Sequence, residues 1–220
     1  MPPNKGRKLT KPEPNGPSQL PRCYADSEHA MRARLNRRVS PPDDTAPSGL
    51  AAIVRSYRIR CEARAQAELQ TFTDEPTLFS AVQRASLAQD LKGKRYHHQR
   101  RLSPSTLQVV LATLRHAPLA ACRSFHELHE LVRREIGPLH GVGRLMIYDT
   151  ALRIGAKLGL EPDRVYLHAG TRQGARNLGL DWRARFIEVN DLPAELRALP
   201  PQQVEDILCI YKDHLGSGAA

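Results

Sequence analysis

Aromatic side chains are scarce in this sequence: one Trp, six Tyr and four Phe in 220 residues. A core built from it must rest on aliphatic residues, which a hydrophobic content of 40% allows. Cysteine is sparse as well. Cys23, Cys61, Cys122 and Cys209 lie far apart, and no pair has C-x-x-C spacing. Neither a zinc knuckle nor a disulfide framework is therefore expected. No run of 18 apolar residues occurs, so no membrane-spanning helix is expected. The first residues, MPPNKGRKLTKPEPNG, lack the apolar stretch of a secretory leader, and the cytosol is the expected compartment. No strand-rich region and no glycine-rich strand–helix unit is present, and no cofactor is expected.

Acidic residues are outnumbered. Lys and Arg total 33 against 23 Asp and Glu, a net charge of +10. Such an excess attracts polyanions, nucleic acid above all, because every neutralised phosphate releases counterions. The excess is uneven. Residues 141–186 carry eight Lys/Arg and four Asp/Glu, whereas residues 187–220 carry two and six. The ten residues Lys92–Arg101 hold five cations, two His and Tyr96. There Lys92, Lys94, Arg95, Arg100 and Arg101 are expected to hold phosphates, with Tyr96 or a His stacking on an unpaired base. A solvated loop has the same composition.

Residues 1–48 contain nine of the 17 prolines and little to bury. They read as a disordered basic arm with a short helix around Glu28–Arg38. From Ser48 onward apolar residues recur at helical spacing. One helix is expected from Leu50 to about Phe72, and another starting at Thr73-Asp-Glu-Pro76, where a hydroxyl, two acids and an early Pro suit a first turn. Ser103-Pro104 opens a third. Ser124-Phe-His-Glu127 has capping-box spacing and opens a fourth. Further helices are expected over about Leu145–Leu158 and Ala169–Leu178, with Trp182–Val189 extended. A last pair is split by Pro200-Pro201. The expected fold is an all-α helical bundle over residues 49–220, behind the arm.

Between two of these helices lies Gly137-Pro-Leu-His-Gly-Val-Gly143. Glycines at 141 and 143 permit backbone angles closed to other residues and let a phosphate approach the chain. The next helix starts at once, so its free N–H groups and positive dipole end face that phosphate, and Arg144 adds a charge. Contacts of this kind position a duplex without reading its sequence. REIGPLHGVGRLMIYDTALRIGAKLG resembles a helix-hairpin-helix motif, placed at about residues 125–158. With VYLHAGTRQGARNLGL behind it, the stretch distantly resembles the helix-hairpin-helix DNA glycosylase superfamily over residues 125–180. That resemblance implies a helical bundle acting on DNA. It departs at three places. Ile147 stands where a small residue is usual, the lyase lysine is missing from Arg144-Leu145-Met146, and His168 stands where the superfamily has a catalytic Asp.

Two residues near the hairpin are candidates for acid–base chemistry, Asp149 and His168. Asp149 is equally suited to pairing with Arg153 one turn on. His168-Ala-Gly-Thr171 is a candidate second anion-binding helix start, with Thr171, Arg172 and Arg176. His126, His129 and His140 are close in sequence, but HExxH is absent and no metal is expected. The functional expectation is a DNA-binding protein largely indifferent to sequence, with RNA as another polyanion of the same kind. A base-excision enzyme or nuclease, and a protein-interaction or inhibitory module, are the rival classes.

Overall fold

The computed structural model describes residues 49–216. The basic arm, including the helix expected around Glu28–Arg38, lies outside the described residues. What is described is mostly helical, with one two-stranded antiparallel ladder. The elements run α1 (Leu50–Tyr57), α2 (Ala63–Thr73), α3 (Leu78–Ser86), α4 (Pro104–Leu114), α5 (Phe125–Ile136), α6 (Arg144–Leu158), β1 (Val165–Tyr166), α7 (Ala169–Asn177), β2 (Phe186–Ile187), α8 (Ala194–Arg197) and α9 (Pro201–Ile210).

The helix expected over Leu50–Phe72 forms as one continuous helical run to Thr73, with a π-helical turn at Arg58–Glu62 inside it. Wider winding rotates the buried face. Ile53, Val54, Tyr57 and Cys61 before and within it join one apolar cluster, while Phe72 after it joins another. The helix start expected at Thr73 also moves. Thr73 closes α2, and Thr77 caps α3 by accepting from the Ser80 N–H at 3.0 Å. Glu75 is taken by Arg84 instead of a helix first turn. The other starts fall where their hydroxyls sit. Ser103 accepts from Thr106 N–H at 3.0 Å, and Ser124 from Glu127 N–H at 3.2 Å. Glu127 reaches one residue further back than a capping box requires, accepting from Arg123 N–H at 2.8 Å.

Two apolar clusters form the interior. One gathers the end of α2 with α3–α6, around Leu107, Val110, Phe125, Leu128 and Ile154. The other gathers α1 with α7–α9, around Ile53, Val165, Val204, Ile207 and Leu208. The β1–β2 ladder lies between them. Its register pairs Val165 with Ile187 and Tyr166 with Phe186. Successive strand side chains point to opposite sides, so Val165 and Leu167 enter the second cluster and Tyr166 enters the first. Helices α7 and α9 lie backbone to backbone: a Cβ on Gly174 would stand 2.1 Å from the Leu208 carbonyl oxygen. No described helix is long and apolar enough to cross a membrane.

Candidate nucleic-acid interface

The corner between α5 and α6 is built from short-range bonds. Leu139 N–H donates to Ile136 O at 3.0 Å, and Val142 N–H to Leu139 O at 3.1 Å. Leu139 and Val142 turn inward onto the first cluster. Gly141 has φ 83°, the left-handed region that disfavours a side chain. Gly143 does not: φ −103° and ψ 173° are open to any residue, and a Cβ there would meet nothing. The expectation that both glycines serve unusual angles is thus corrected for Gly143. What Gly143 contributes is a bare position at the start of a 15-residue helix with no side-chain cap. Both glycines and Arg144 are exposed. The first-turn amides of α6 therefore face solvent with the helix dipole behind them.

Beside the corner lies a cleft of about 710 Å³. Gly143, Arg144, Arg133, Arg134 and Arg185 stand around it. Tyr148, Tyr166, His168 and His129 line its floor as buried rings, and the half-buried Phe186 stands at its wall. Arg133 pairs with Glu130 at 2.8 Å and Arg134 with Glu135 at 3.2 Å, while Arg185 also contacts Glu130. Arg144 makes no ion pair among the described residues, and its charge, second to burial, lowers the pKa of the neighbouring Arg172. The Tyr148 hydroxyl and His168 Nδ1 are buried without a hydrogen-bond partner. Burial holds the Tyr148 phenol far above its ordinary pKa, so it remains a donor.

The basic loop reaches this corner. Leu102, at its end, lies 3.9 Å from where a Gly141 Cβ would be. Lys92, Lys94, Arg100 and Arg101 are exposed. Arg95 donates to Leu102 O at 2.8 Å, bracing the loop. Tyr96 is not available for stacking on a base, which corrects the role expected of it. It is 7% exposed, with the Arg153 guanidinium 4.0 Å above its ring. A buried knot anchors the loop to α6. Asp149 accepts from His98 Nε2 at 2.7 Å and Gln99 Nε2 at 2.8 Å, with Arg153 at 3.8 Å. Arg153 also reaches Glu68 at 3.3 Å. Burial opposes ionisation of Asp149, but Arg153, His98 and His168 outweigh it and hold the carboxyl below its usual range.

Asp149 and His168 are not brought into contact. His168 Nε2 instead makes a very short contact with Glu205 on α9, and Asp149 is occupied by the loop. His168 still lines the cleft; Asp149 lines a separate cavity of about 80 Å³ beneath α2 and α9. Thr171 is fully buried and bonds the His168 backbone, donating to its carbonyl at 3.1 Å and accepting from its N–H at 2.7 Å. It closes the first turn of α7 and offers nothing to a ligand, contrary to expectation. Arg172 donates to Ala184 O at 2.7 Å, and Arg176 stacks over Trp182 at 5.6 Å. Glu205, Glu68, Arg133, Arg185 and Tyr166 were not singled out by the sequence. Only Arg153, one turn beyond Asp149, carried a local signal.

His129 sits in the cleft wall, its ring 4.2 Å from that of Tyr166. Burial pushes its pKa down to about 4, against a pull from Glu130, with Arg185 and His126 adding to the depression. An unfolded chain binds this proton more tightly, so stability must fall as pH drops through the unfolded value near 6.5 toward 4. Between pH 7.5 and 5.5 this amounts to about 1 kcal/mol. Urea midpoints of His129→Phe against the parent, followed over that interval, should show a shallower acid loss in the variant. Parallel curves would contradict it.

No family model matches the chain, and neither a curated protein nor a solved structure matches it.

Proposed function

We propose that this protein binds nucleic acid, DNA foremost, by gripping one phosphate backbone at the start of α6 in the manner of a helix-hairpin-helix. The observation that carries this reading is the exposed, uncapped α6 N-terminus at Gly143, with unpaired Arg144 beside it. Anions bind at such termini because backbone donors and the dipole act together. The exposed cations Lys92, Lys94, Arg100 and Arg101 belong to the loop whose end, Leu102, approaches Gly141, and they add positive charge for a strand. Recognition is of charge and backbone shape, so sequence preference is weak.

A base-processing activity is the second reading, favoured by the ring-lined cleft next to the phosphate position. Tyr148 and His168 hold buried, unpartnered polar atoms in its wall, and a base drawn out of a stack is held by a few polar contacts of this kind. In this reading His168 acts and Asp149 supports the fold.

Binding of the full chain to a fluorescent duplex, measured at several salt concentrations, tests the first reading. With about four to six phosphates neutralised, the slope of log K against log salt should be about −4 to −5. A slope near zero overturns it.

A further inference from the structure

We propose that His168, Glu205 and Cys209 form a binding site for a zinc-class divalent ion. Their ligand atoms lie within 4.8 Å of one another, the one such group of three among the described residues. The arrangement follows from the fold. Glu205 and Cys209 are four residues apart on α9 and so share one helix face. His168 precedes the first residue of α7, the helix packed against that face. Small residues allow the approach. A Cβ on Gly170 would stand 2.5 Å from Cys209 Sγ, and one on Gly174 would strike the α9 backbone.

Imidazole, carboxylate and thiolate together suit a borderline-soft ion such as zinc, at metal–ligand distances of about 2.0–2.3 Å. Three protein ligands leave a fourth position for water. Charge points the same way. Glu205 is 4% exposed, with its carboxylate beside the His168 ring nitrogen. A buried carboxylate is costly without a compensating cation. His168 Nδ1 is buried without a hydrogen-bond partner among the described residues, and its Nε2 is hydrogen-bonded to Glu205. An ion at this place displaces the proton of that hydrogen bond and the thiol proton of Cys209. Of the histidines closest in sequence to metal-ligand spacing, His126 is engaged elsewhere, its Nδ1 with the Tyr166 hydroxyl at 2.9 Å, and His129 packs its ring on Tyr166 at 4.2 Å.

Titration of the chelator-stripped full chain with Co²⁺ tests the site. One equivalent is expected, with a thiolate-to-cobalt charge-transfer band that Zn²⁺ abolishes. Cys209→Ser should remove the band and weaken binding at least tenfold. Glu205→Gln should weaken binding while keeping the band. Cys122→Ser should change nothing. Circular dichroism shows that each variant is folded, and if Glu205→Gln is not, the half-buried Cys209→Ser decides. Absence of stoichiometric cobalt binding, or a band that survives Cys209→Ser, overturns the proposal.

Discussion

Replacing Arg153 by alanine is expected to lower stability by about 3–5 kcal/mol. Arg153 is 4% exposed, yet it carries a full charge. Burial works against that charge, and Asp149 and Glu68 outweigh it and raise the guanidinium above its ordinary pKa. The side chain does four things at once. It approaches Asp149 at 3.8 Å, reaches Glu68 at 3.3 Å and donates to Gln99 Oε1 at 3.3 Å. It also lies 4.0 Å over the Tyr96 ring. Alanine removes the cation and leaves two acids, one of them nearly buried, without it. Breaking a buried pair from one side costs far more than the pair contributes, because the remaining charge keeps its desolvation penalty. The loop carrying His98 and Gln99 loses part of its anchor as well. Arg153→Lys should recover only part of the loss, since a point charge cannot serve several acceptors and a ring face together. Urea unfolding of the three proteins at neutral pH checks this. A loss under about 1 kcal/mol for Arg153→Ala would mean that the knot contributes little.

Much of the helical layout was legible because it rests on local rules. Ser103 and Ser124 start helices through their own hydroxyls, and α6 occupies Arg144–Leu158, within one residue of its apolar pattern. Errors arose where tertiary structure chose between local options. Thr73 and Thr77 both offer a hydroxyl near Pro76, and the α3 start went to Thr77 because Ser80 returns its bond at 3.2 Å. The π-turn at Arg58–Glu62 has no signal in apolar spacing alone. The 92–101 segment shows the limit most sharply. Its composition suggested a ligand loop throughout, but a side chain from α6 claims Tyr96, and Asp149 claims His98 and Gln99. Contacts across 50 residues leave no trace in a charge run. The cleft beside the corner combines α5, α6 and the β1–β2 ladder, and Tyr166 and Phe186 enter it only through strand pairing. Likewise Glu205 meets His168 only because glycines bring α7 onto α9.

Replacing Gly143 by aspartate is expected to weaken duplex binding about 10- to 100-fold, or about 1.4–2.7 kcal/mol, while leaving the fold at least as stable. The two effects separate because they depend on different properties of one position. At φ −103° and ψ 173°, residue 143 has the extended geometry of a helix N-cap, and no atom obstructs a Cβ. Aspartate is among the best residues there, exceeding glycine by a few tenths of a kcal/mol. Its carboxylate satisfies a first-turn amide and suits the positive end of the dipole. By the same token it would occupy the place proposed for phosphate and would repel the backbone that Arg144 is proposed to attract. Fluorescence anisotropy of a labelled duplex with parent and Gly143→Asp chains, at one fixed salt concentration, with thermal melts of both, therefore tests the account most directly. It predicts an equal or higher melting temperature together with at least a tenfold loss of affinity. Unchanged affinity in a variant that melts like the parent would contradict the assignment of the α6 N-terminus as the phosphate grip.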